Sequence, residues 1–222
     1  MPFFIVKIGF LIIAVKSNVE FKIYSLKESV FMSNTKTIKL VEGAVMVALA
    51  LVLSFIKVFH LPWGGSITLL SMLPIVIYSI RNGVKWGMLV SVVYALLQMF
   101  IDLGEVVSWG LTASALIGTL ILDYILAFSV LGLAGMLRKK GIAGAIAGIV
   151  ITIALRYAFH VISGSVIFHS VGAIWDTFST DNSWIYSSLY NGAYMLPEMV
   201  FTVIGAVILL CVPQTKKLIV KD

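Results

Sequence analysis

Apolar residues fall in six long runs, at about 40–59, 66–80, 84–101, 112–137, 142–168 and 185–212. A helix needs roughly 20 apolar residues to cross a hydrocarbon core of about 30 Å, and most of these runs approach or exceed that length. The breaks between them are turn-like or charged: Pro62 with Gly64-Gly65, Asn82-Gly83, and Arg138-Lys139-Lys140-Gly141. The pattern predicts an all-α integral membrane protein with six transmembrane helices.

The charges sort by side of the membrane. Lys36 and Lys39 precede the first run, Arg81 and Lys85 flank the second break, Arg138 to Lys140 fill the fourth, and Lys216, Lys217 and Lys221 follow the last. The alternate breaks carry Asp102, Glu105, Asp176 and Asp181, with no Lys or Arg. The positive-inside rule then places both the N- and C-termini in the cytoplasm.

Composition agrees. Of 222 residues, 60% are hydrophobic and 12% charged, half the charge of an ordinary soluble domain, so a cell membrane is the expected location. The net charge of +6 is accounted for by basic cytoplasmic loops and gives no reason to expect nucleic acid. The single Cys211 excludes an internal disulfide. The chain carries no nucleotide-binding loop, His-Glu-x-x-His or Cys-x-x-Cys. ATP-driven transport would therefore need a motor on another chain. Three histidines, His60, His160 and His169, form no ligand pair at helical spacing, so no metal site or cofactor is expected.

Residues 1–31 stand apart. Their apolar stretch, Phe3 to Val15, contains Lys7 and is too short for a confident span, and a polar segment follows. Met32-Ser-Asn-Thr-Lys reads as a natural start, so 1–31 is expected to be an upstream extension and 32–222 a single six-helix domain. An interfacial helix is the alternative.

The candidate chemistry lies inside the apolar runs. Arg156 and His160 are four residues apart and share a helix face. Counting from the cytoplasmic anchors at 1.5 Å per residue, Asp123 and Arg156 lie about 22 Å up their helices and His160 about 28 Å. Asn191 lies roughly 8 Å below Tyr186. All four fall in the outer half of the membrane, as in a pocket open to the outside. Ionisable groups at such depth are costly and usually face a partner or a cavity. Structural alternatives stand beside each: Asp123 pairing Arg156, His160 bonding a carbonyl, and Asn191 joining helices. Trp63, Trp109, Trp175, Trp184, Tyr186, Tyr190 and Tyr194 gather at the outer ends, as a ligand-stacking set or an interfacial belt. The carboxylates favour a cationic or amine-bearing ligand. In the first run, Ala44 and Ala48 form a small-xxx-small pattern that admits close helix approach.

Several motifs, in order, resemble the thiamine-specific S components (the ThiT/YuaJ family) of energy-coupling-factor (ECF) transporters. They are Pro62-Trp63-Gly64-Gly65-Ser66, Met72-Leu73-Pro74-Ile75, Leu122-Asp123-Tyr124-Ile125-Leu126, Arg156-Tyr157 with His160-Val161-Ile162-Ser163-Gly164, and Trp184-Ile185-Tyr186-Ser187 with Tyr190-Asn191. The resemblance covers about 36–212. It implies capture of thiamine near the outer face, and assembly with a transmembrane coupling subunit and two cytoplasmic ATPases. It assigns Asp123, His160, Tyr186, Asn191 and Trp63 to the ligand and the Ala44/Ala48 face to the coupling subunit. Some members carry Glu at the Asp123 position, and a stacking Trp of some members falls here on Phe168, Trp175 or Trp184. Alternatives are an S component for hydroxymethylpyrimidine or riboflavin, a solitary secondary transporter, or an intramembrane enzyme. The enzyme would need a second carboxylate or a metal-binding cluster facing Asp123, and neither is evident in the sequence.

Overall fold

The computed structural model describes residues 35–61, 64–175 and 178–219, so the expected extension 1–31 lies outside the described residues. Two units divide the chain, Met1–Glu42 and Gly43–Asp222. Of the first, the described residues are the opening turns of helix α1 (Thr35–Phe55).

The second unit is largely helical. After α1 come strands β1 (Lys57–His60) and β2 (Ser66–Thr68), then α2 (Leu73–Asn82) and α3 (Val84–Ser108). A composite helix follows, built from α4 (Ala113–Thr119), a π-helical turn (Leu120–Leu126), α5 (Ala127–Ser129) and a 3-10 stretch (Val130–Lys140). Next are α6 (Gly141–Val166), strands β3 (Gly172–Trp175) and β4 (Phe178–Thr180), α7 (Ser183–Cys211) and α8 (Pro213–Ile219). The strands form two separate antiparallel hairpins, β1 with β2 and β3 with β4.

Among the described residues, four helical stretches are long and apolar enough to cross a membrane: Thr35–Phe55, Val84–Ser108, Ala113–Val166 and Ser183–Cys211. The third has 54 residues, about 80 Å at helical rise, more than twice the hydrocarbon thickness. It is interrupted at Gly141, whose φ of +70° suits glycine and resets the backbone between the 3-10 stretch and α6. Gly83, at φ +86°, does the same between α2 and α3. Side-chain caps start two other helices. Asn182 accepts from the amides of Trp184 and Ile185, at 3.0 and 3.2 Å, and Thr112 accepts from Ala115.

Three expected boundaries move. The run 40–59 leaves the helix after Phe55, and Lys57–His60 become β1. The run 66–80 is split: Ser66–Thr68 pair with β1, Leu70 turns at φ +61°, and the helix begins at Leu73 with Pro74 in its first turn. Asp102 and Glu105 were expected in a loop, but α3 continues to Ser108 and carries both. An apolar run alone does not separate a short strand from a helix, which is why the first two boundaries shift.

The core gathers Met72 just before α2, Ile75 and Tyr78 of α2, Tyr94 of α3, Leu131 of the 3-10 stretch, Ile149 and Ile153 of α6, and Met195 and Leu210 of α7. Large apolar side chains cover the outward faces as well, among them Val45, Val52, Phe100, Leu196 and Ile208. Apolar residues inside and outside together are what a hydrocarbon solvent permits.

Candidate functional site

One cavity of about 480 Å³ lies between β2 and helices α3, α6, α7 and the π-helical turn. That is a usual size for a small-molecule site.

Asp123 sits in the middle of the π-helical turn. Such turns recur at functional sites because they re-aim side chains. Here the consecutive Asp123 and Tyr124 both reach the cavity lining, with Thr119 and Phe128 one step further on either side. Asp123 Oδ1 lies 2.8 Å from His160 Nδ1, and the Ser163 hydroxyl donates to Asp123 Oδ2. Arg156 Nε donates to His160 Nε2 at 3.4 Å. Arginine has only donors, so this contact assigns the lone pair to Nε2 and the proton to Nδ1, which donates to the carboxylate. The expected shared face of Arg156 and His160 is therefore present. Arg156 does not reach Asp123 in an ion pair among the described residues; it touches His160 and lies over the Phe128 ring, 4.0 Å from its centroid. Asp123 and His160 side chains stay 16% and 12% exposed, so a ligand can touch them.

Helix α7 contributes a stripe at four-residue steps, Tyr186, Tyr190, Tyr194 and Glu198, and all four line the cavity. Tyr186 and Tyr190 stack at 6.2 Å and 14°, and Tyr194 meets Tyr190 and His160 edge-on. Asn191 belongs to the lining but directs its amide inward. Its Nδ2 donates to Ser187 O at 2.9 Å and reaches His160 O at 3.4 Å, while Oδ1 accepts from Tyr194 at 2.6 Å. It joins α6 to α7 at the edge of the cavity. Gly164 permits this approach, since a Cβ there would collide with Ser187.

The expected aromatics divide. Trp109, at the end of α3, lines the cavity and meets Phe168 edge-on at 6.0 Å. Trp184 is 52% exposed and outside the lining. Trp63 and the Trp175 side chain lie outside the described residues. Four carboxylates, Asp102, Glu105, Asp123 and Glu198, line the cavity against two cations, Lys57 and Arg156. This excess of negative charge favours a cationic guest. No group of three His, Cys, Asp or Glu suited to a metal occurs among the described residues.

Glu198 is the main residue that the sequence reading missed. It is a second intramembrane carboxylate of the cavity lining, and it is bound to Thr68 of β2. The four-residue spacing from the three tyrosines was a usable signal.

The model of the thiamine transporter protein family Thia_YuaJ matches residues 40–219. The chain belongs to this family. Among its Thia_YuaJ relatives is the thiamine transporter ThiT of Bacillus subtilis (strain 168), 34% identical over 181 residues, covering 75% of this chain and 87% of the relative. The thiamine transporter ThiT of Lacticaseibacillus paracasei is 28% identical over 191 residues, covering 79% and 88%. The solved structure of ThiT from Listeria monocytogenes aligns with a TM-score of 0.63 at 25% identity, covering 82% of this chain and 98% of that one. With several helices able to span a bilayer, this Thia_YuaJ member is a multi-pass membrane protein, a transport protein rather than an enzyme.

Proposed function

We propose that the chain captures thiamine in the cavity at the outer face of the membrane, as the S component of an ECF-type importer. The observation that carries this is the Asp123 carboxylate, held by His160 and Ser163 and still exposed in a tyrosine-lined cavity with excess negative charge. Thiamine has a permanently cationic thiazolium and an aminopyrimidine edge with donors and acceptors. Asp123 answers the exocyclic amine and the charge, His160 and Tyr186 extend the polar edge, and Asn191 fixes the α6–α7 geometry beneath them. Trp109 and the stacked tyrosines offer faces to the rings. Trp63 and Trp175 belong to the same outer layer in the sequence. Trp184 would reach the ligand only from outside the lining.

The proposed topology is six crossings with both termini cytoplasmic. It is supported by the break at Gly141 and by the basic residues Arg81, Lys85 and Arg138 to Lys140 beside the Gly83 and Gly141 turns. ATP hydrolysis belongs to two cytoplasmic partner subunits, reached through a transmembrane coupling subunit. Ala44 and Ala48 are both exposed on α1 while Gly43 and Val47 turn inward, which leaves a small-residue face for that partner. Ala44→Trp or Ala48→Trp should leave thiamine binding intact and abolish uptake in reconstituted complexes. Unchanged uptake would remove the docking assignment.

The deciding experiment is mass spectrometry of small molecules carried by protein purified from rich medium, followed by titration calorimetry. Co-purified thiamine supports the proposal. Hydroxymethylpyrimidine or riboflavin in its place would move the chain to another vitamin.

A further inference from the structure

The β1–β2 hairpin borders the cavity and is held to α7 by side chains at two points. The Gly65 amide donates to the Tyr190 hydroxyl at 3.3 Å. Two turns along α7, Glu198 Oε1 accepts from both the backbone amide and the hydroxyl of Thr68, the latter at 2.5 Å. Thr68 Oγ1 also meets Ser71 Oγ at 2.6 Å. Glu198 is 4% exposed, and Thr68 and Ser71 are buried with it. A carboxylate taken out of water stays tolerable only when hydrogen-bonded, and this one finds both bonds on one residue 130 positions away in the chain. At the first holding point the hairpin packs tightly. A Cβ on Gly65 would lie 2.9 Å from both the Tyr190 hydroxyl and the Tyr194 ring.

We propose that Glu198 is a positioning residue of the ligand site: by fixing Thr68 it sets where the Gly64-Gly65 edge of the hairpin stands against the α7 tyrosines. The carboxylate acts through the hairpin and not as a second charge for the ligand. Its Oε1 is committed to Thr68 and the residue is 4% exposed, whereas the carboxylate of Asp123 stays 16% exposed. The affinity consequence rests on the thiamine proposal; the structural consequence does not.

The test uses the full chain in detergent, as wild type, Glu198→Ala, Glu198→Gln, Thr68→Val and the double variant Glu198→Ala/Thr68→Val. Backbone amide exchange of the ligand-free protein is followed across 57–70, and thiamine affinity is measured by calorimetry. Glu198→Ala should raise hairpin exchange about tenfold, leave α6 unchanged, and weaken thiamine binding by about tenfold. Glu198→Gln keeps an acceptor for Thr68 and should restore both to within about threefold of wild type. Thr68→Val should move both in the same direction by less, and should add little to Glu198→Ala. Hairpin exchange unaltered in Glu198→Ala overturns the proposal. So does a Glu198→Gln variant as impaired as Glu198→Ala alongside a silent Thr68→Val, since that pattern marks a charge facing the ligand. If Glu198→Ala fails to fold, Thr68→Val decides: raised hairpin exchange supports the proposal and wild-type exchange overturns it. If wild type binds no thiamine, the functional proposal fails while the exchange measurement still decides the role of Glu198.

Discussion

The two ends of the composite helix are built on opposite principles. Around Asp123 the backbones stand apart, and side chains carrying directed polar groups line a cavity. Around Gly132 and Gly135 the backbones touch. There the Ser79 hydroxyl donates to Gly132 O at 2.5 Å and accepts from the Gly135 amide at 3.0 Å. A Cβ at Gly132 would run into the backbone of Met88 and Gly87, and one at Gly135 or Gly148 into a carbonyl of Ser79 or Ala134. The local helix type follows the same division, a π turn at the cavity and a 3-10 stretch at the glycine contacts. A wide turn opens room and aims side chains, while in the tight stretch the Gly135 amide donates to the Ser79 hydroxyl of the neighbouring helix. The cavity thus lies at one end, and backbone contact closes the other.

This contrast makes separable predictions. The largest effect belongs to Asp123→Ala, which should weaken thiamine binding about a hundredfold or more, roughly 2.7 kcal/mol, with little change in melting temperature. Near-normal affinity by calorimetry would detach the cavity from the ligand. Gly135→Ala should do the reverse. Its Cβ meets backbone, so about 1–3 kcal/mol of stability is lost while the folded fraction binds normally. A thermal melt unchanged from wild type would show that the tight end is not tight. Trp184→Ala should be smallest, altering affinity less than about threefold, because an exposed side chain outside the lining has few partners to lose. A tenfold loss in titration would extend the site beyond the cavity.

Much of the cavity end was legible in the sequence because its signals are local. Arg156 and His160 declare a shared face by spacing alone, and a carboxylate at Asp123 inside an apolar run announces its cost. Partners across helices were harder to see. Asp123 takes His160 and Ser163, while Arg156 takes His160 and Phe128, and no local pattern distinguishes those pairings from an Asp123–Arg156 pair. The hairpin hid because its strands continue the apolar runs on both sides. Glu198 hid between Pro197 and Met199 because its partner, Thr68, belongs to the first half of the chain. The glycine contacts were invisible as interactions, for a glycine's use is set by what approaches it.

The π turn also has a meaning as phase. Each residue rotates an α-helix by about 100°, so one additional residue within a turn offsets everything after it by that angle. Asp123 faces the cavity on one side of the offset, and Gly132 and Gly135 face Gly87 and Ser79 on the other. The two ends therefore share a single register: removing one residue from Leu120–Leu126 would turn the glycines away from their contacts as surely as it would turn Asp123 from His160.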